Sequence, residues 1–136
     1  MNPVLEAKEM LYNEDIDNKN IVWLRWSRLP SPAVPPHLAK TADRIDFKIW
    51  RAIDDAWRRT HGDVDPPTRG GMSVFVGVDQ DGALWYDVGV DDEYGRWSKT
   101  EDELHSLMVR LMAKPQFVKD CRKMAKAITD DPESFQ

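Results

Sequence analysis

MSVFVGVDQDGALWYDVGV, residues 72–90, decides the architecture. Two runs rich in β-branched and aromatic residues flank Asp79-Gln80-Asp81-Gly82, a composition that favours a β-hairpin. A two-residue turn at Asp81-Gly82 would pair Val78 with Trp85 and set Val74, Val76 and Val78 opposite Trp85, Asp87 and Gly89. A three-residue turn, Gln80-Asp81-Gly82 with a left-handed Gly82, pairs Val78 with Leu84, Val76 with Tyr86 and Val74 with Val88. Slipping the register by one residue turns every side chain to the other face. Only the second register gathers six apolar side chains on one face, so burial selects it. The opposite face then carries Ser73, Phe75, Asp79, Trp85 and Asp87, a mixture of aromatic and acidic groups.

Downstream, VDDEYGRWSK (90–99) is a loop or a short third strand. Thr100 and Glu103 have capping-box spacing and predict the start of a helix. Leu104, Leu107, Met108, Leu111 and Met112 form its apolar stripe. The helix should stop near Lys114, because the residue before a proline avoids the helical region. Pro115 opens a last helix with Phe117, Cys121, Met124 and Ile128 on one face. Residues 129–136 read as a frayed polar tail.

Upstream, residues 60–71 form a loop with Gly62 as helix stop. Ala42, Ile45, Ile49, Ala52, Ile53 and Ala56 recur at three- and four-residue intervals, predicting a long central helix from about Thr41 or Asp43 to Arg59. Phe47, Trp50 and Trp57 widen its buried face or form a second one. Residues 29–40, with Pro30, Pro32, Pro35 and Pro36, read as a proline-rich connector. Before it, residues 21–28 (IVWLRWSR) suit a strand. Residues 3–12 suit a short helix with Val4, Ala7 and Leu11 on one face. The fold class is therefore α+β, a single domain over 1–136. A small antiparallel sheet, the hairpin at about 72–90 plus the strand at about 21–28, packs against the central helix and a C-terminal helix pair.

The bulk numbers fit that reading. A chain of 136 residues with 41% apolar residues can bury a core in one domain. Charged residues reach 32% and mean hydropathy is −0.61. The longest apolar runs fall far short of the ~20 residues that cross a bilayer. The first residues lack the basic start and apolar stretch of a signal peptide. The single cysteine, Cys121, excludes an internal disulfide. The chain reads as cytoplasmic.

Net charge is −5 but unevenly spread. Residues 79–103 hold nine acids against two bases, net −7; residues 25–59 hold eight bases against four acids, net +4. Residues 104–136 carry six bases and four acids, net +2. Such a bipolar molecule can steer a partner of either sign, and head-to-tail self-association is a further candidate.

Motifs for chemistry are missing. His37, His61 and His105 are scattered and have no second His or Cys at ligand spacing, so no metal site is assigned. The loop His61–Asp65 is ordinary turn chemistry. Asp79–Gly82 resembles a calcium loop only in composition. There is no G-x-S-x-G elbow, and Cys121 sits on an apolar stripe. Gly70-Gly71 precedes a strand, so it is not a phosphate cradle. No catalytic residue and no cofactor is assigned, and the chain reads as non-enzymatic.

Binding is the remaining class. Residues 79–103 and the mixed hairpin face offer Phe75, Trp85, Asp87, Asp91, Asp92, Glu93, Tyr94 and Trp97. Aromatic anchors within a charged rim are the usual makings of a binding hot spot. That surface suits another protein with a basic face, and predicts a stoichiometric inhibitor, adaptor or regulator. Small acidic inhibitor proteins share this size and charge, an analogy and not a sequence match. The alternative partner is nucleic acid, met by Trp23, Arg25, Trp26, Arg28, Arg58 and Arg59 through stacking and phosphate contacts. Against it, the tryptophans can be core and the arginines their cover. A homo-oligomer, built through a sheet edge or the Met-rich helix, is compatible with either reading; no membrane partner is expected.

Overall fold

The computed structural model describes residues 8–9, 22–27, 34–66, 72–90, 97–131 and 133, with the backbone alone at 8–9, 22–27, 72–73 and 90. The described elements run β1 (Lys8–Glu9), β2 (Val22–Ser27), a 3-10 turn (Pro36–Leu38), α1 (Ala39–His61), β3 (Met72–Val78), β4 (Leu84–Val90), α2 (Ser98–Met112) and α3 (Pro115–Asp130). This is the expected α+β architecture.

The hairpin adopts the register that burial selects. Val78 pairs with Leu84, Val76 with Tyr86 and Val74 with Val88. Asp79 N–H donates to Ala83 O at 2.9 Å, and Gln80-Asp81-Gly82 lie outside that closing pair with Gly82 at φ 81°. Its six apolar side chains are all buried, each stabilising the fold by roughly 1.5–3 kcal/mol for the larger ones. β2 pairs antiparallel with β3, with Arg25 opposite Phe75. The sheet order is β1-β4-β3-β2, and β1 runs parallel to β4.

That parallel strand is a correction. The pattern at 3–12 predicts a helix, yet Lys8–Glu9 is extended and pairs with Trp85 and Tyr86. An isolated short helix nucleates poorly, whereas the edge of β4 offers unpaired backbone groups. The sheet is mixed as a result.

α2 packs on β4, α3 on β3 and β2, and α1 lies across both helices. Ile45, Ile49, Ala52, Ile53 and Ala56 form the buried stripe of α1, as their spacing predicts, and Trp57 joins them. The helix begins earlier than expected. The end of the proline-rich segment is already folded, with Leu38 N–H donating to Pro35 O at 2.9 Å and buried Leu38 anchoring the turn. Gly62, at φ 83°, ends α1. α2 stops at Met112 and α3 starts at Pro115 and continues through Asp130, so Thr129 and Asp130 are helical.

Thr100 is not the N-cap of α2. The helix starts at Ser98, and Thr100 is buried with its hydroxyl 2.9 Å from that of Thr60. Packing Trp97 against Trp57, ring centroids 4.5 Å apart, brings the chain into the core before Thr100 and starts the helix sooner.

Candidate protein-binding surfaces

Four of the residues proposed for the acidic, aromatic surface are described, and two of them are not exposed anchors. Trp85 is 7% exposed and its indole N–H donates to Asp79 Oδ2 at 3.0 Å. Trp97 is 2% exposed and belongs to the core. Phe75 and Asp87 are half-buried. Asp91, Asp92, Glu93 and Tyr94 lie outside the described residues. Trp85 and Asp79 of the hairpin face therefore meet each other. Asp79 is itself buried, and its Oδ1 accepts from the N–H groups of Asp81 and Ala83, both at 2.9 Å. A carboxylate so placed organises the turn, as Asp often does. Arg122 of α3 clamps the same turn by donating to Gly82 O at 2.8 Å.

The arginines proposed for nucleic acid are also occupied where they are described. Arg58 meets Asp54, Asp63 and Asp65 at 3.0, 2.7 and 2.5 Å. Arg59 is 3.6 Å from Glu103. Trp23, Arg25 and Trp26 are backbone positions in β2 opposite Gly77, Phe75 and Val74, and Arg28 lies outside the described residues. Arg44, on the same helix, makes a two-pronged contact with buried Asp120, Nε to Oδ2 at 3.0 Å and an Nη to Oδ1 at 2.9 Å. Those hydrogen bonds hold the Asp120 carboxyl below its ordinary pKa against the opposing effect of burial; Gln116 adds a third donor at 2.9 Å.

The outer side of α1 carries what the hairpin face does not. Phe47 is 59% exposed in the middle of the helix. Asp43 lies one turn before it, Trp50 about one turn after it and Asp54 two turns after it, which places them on its flank by helical spacing. Asp43 is exposed, while Asp46, Trp50 and Asp54 are half-buried. Burial, and then the neighbouring Asp43, push the Asp46 carboxyl above its ordinary pKa. This is an acidic, aromatic strip. Helical spacing has Phe47 widening the buried face of α1 or forming a second one with Trp50 and Trp57; the structure buries Trp57 but leaves the Phe47 ring mostly in solvent.

The other flank of α1 is basic. It forms a groove of about 450 Å³ with α2, lined by Lys48, Arg51, Ala52, Asp55, Leu107, Arg110, Leu111 and Lys114. Another groove, about 740 Å³, runs between the hairpin turn and α3. There Arg122 is taken by Gly82 O, and Lys126 pairs with Asp130 at 2.7 Å.

Two polar clusters hold histidines. His61 stacks on Trp57 with centroids 3.8 Å apart, and its Nδ1 lies 2.9 Å from the Thr60 hydroxyl. His105 has Nδ1 3.2 Å from the Tyr86 hydroxyl and Nε2 3.8 Å from Glu101. Both tie α2 to its neighbours. Cys121 is buried, and burial raises its thiol pKa, which disfavours the nucleophilic thiolate. Among the described residues no three His, Cys, Asp or Glu side chains are grouped to hold a metal, and no helix is long and apolar enough to cross a membrane.

Comparison with protein-family models, with curated proteins and with solved structures gives no match to this chain.

Proposed function

We propose that this protein acts stoichiometrically by binding another protein, as an inhibitor, adaptor or regulator, through an acidic surface with an aromatic anchor. Phe47 carries the reading. A phenylalanine 59% exposed on a long helix leaves a large apolar area in water that a partner could bury. Asp43 and Asp46 beside it supply the charged rim that favours a partner with basic groups. Trp50, half-buried, extends the apolar area. Asp46 fits this role as well, since a carboxyl destabilised by crowding and burial gains most from an incoming cation.

The nucleic-acid alternative has less support, because Arg58 and Arg59 already face carboxylates. The test is nuclease-treated capture from source-cell lysate with the wild-type chain and with Phe47→Glu. A protein retained in near-equal amount by the wild type and lost by the variant supports the proposal. Retention by both, or nucleic acid as the retained species, overturns it.

A further inference from the structure

We infer that the groove between α1 and α2 is a second docking site, for a short acidic peptide segment that carries aliphatic side chains. It lies on the flank of α1 beside Phe47, and Phe47 is not among its described lining residues, so it stands independently of the reading above.

On α1, Arg44, Arg58 and Arg59 are each matched to a carboxylate. Lys48 and Arg51 on the same helix are not. With Arg110 of α2 and Lys114, just before α3, they line one groove, and among its described lining residues Asp55 is the single acid. None of these five side chains forms an ion pair or hydrogen bond with another described residue. Four cations gathered around one acid repel one another across the groove. In a chain of net charge −5, that concentration of positive charge is local. An anionic guest relieves the repulsion.

The rest of the lining selects the kind of anion. Ala52, Leu107 and Leu111 supply an aliphatic floor, and Leu107 is only half-buried. That floor gives a guest apolar contact as well as charge. Nucleic acid is disfavoured on two counts. Among the described residues no aromatic side chain lines the groove to stack a base. A long polyanion would also run beyond the groove onto a molecule of net negative charge. A peptide with carboxylates at its edges and leucine-like residues between them matches both rims and floor, in the manner of a segment laid between helices.

The test uses three fluorescent probes on the full chain: a short peptide of glutamates with leucines every three or four residues, the same peptide with serines for leucines, and an oligothymidylate of equal net charge. The leucine peptide should bind most tightly. Arg51→Glu with Arg110→Glu should weaken it about tenfold or more, with an unchanged thermal midpoint showing that the fold is intact. Phe47→Ser should leave it unaltered. Binding that survives the double reversal, or falls equally in Phe47→Ser, would overturn the assignment. So would tighter binding of the oligothymidylate or equal binding of the serine peptide. A wild-type dimer that the double reversal returns to monomer would give the groove to a second copy instead.

Discussion

The indole N–H of Trp85 donates to Asp79 Oδ2 at 3.0 Å, joining the residue just after β3 to the second residue of β4 across the hairpin turn. The same carboxylate holds the N–H groups of Asp81 and Ala83. Asp79→Ala would leave three donors to find other partners in a buried site, at about 1–3 kcal/mol for the first and less for any that reach water. The expected loss is ~2–4 kcal/mol in denaturant unfolding. A fall under ~0.5 kcal/mol would show that the turn forms without its carboxylate.

Gly82 separates a backbone effect from a contact. Its φ of 81° is strained for a residue with a Cβ, and a Cβ there would lie 3.2–3.4 Å from the Arg122 guanidinium. Gly82→Ala should cost about 1–2 kcal/mol from the left-handed conformation alone. In an Arg122→Ala background the contact part disappears and only the backbone part remains. A double-mutant cycle on thermal midpoints reads the difference.

The Arg44–Asp120 contact gives a pH dependence. The Asp120 carboxyl is held below its ordinary value, chiefly by hydrogen bonds from Arg44. A carboxylate with a depressed folded pKa stabilises the native state above its unfolded pKa of about 4 and loses that stabilisation as pH falls through the folded value. Wild type should therefore exceed Asp120→Asn in stability at near-neutral pH. The gap should narrow steadily as pH drops below about 4. Arg44 is half exposed, which limits the gap to roughly 1–2 kcal/mol by solvent screening. A gap that stays constant down to acid pH would remove the charge from the explanation.

Phe47→Ser should leave stability within about 0.5 kcal/mol of wild type, because the side chain it removes is mostly in solvent. Ile49→Ser, two residues along and 1% exposed, should cost several kcal/mol by opening a cavity and burying a hydroxyl. Chemical denaturation of the pair checks this. A large loss in Phe47→Ser would mean that the aromatic ring is part of the fold, not a spare contact.

What the sequence determined is local and periodic. The hairpin register follows from one choice, which alignment buries Val74, Val76, Val78, Leu84, Tyr86 and Val88 together. The buried stripes of the three helices follow from spacing, and Gly62 and Pro115 mark their boundaries by backbone restriction. These properties depend on neighbours within a few residues, or on a single turn. The tertiary structure alone decided the remainder. Lys8–Glu9 leaves its helical pattern because the β4 edge lies beside it. Trp85 and Trp97, which composition marks as anchors, are drawn inward by a carboxylate and by Trp57. Arg58 is neutralised by carboxylates on either side of the helix end, whereas Lys48 and Arg51 meet Arg110 of α2 and Lys114 just beyond it, some sixty positions further along the chain. Electrostatic and aromatic partners are chosen by distance in space, and that distance exists only once the helices have packed.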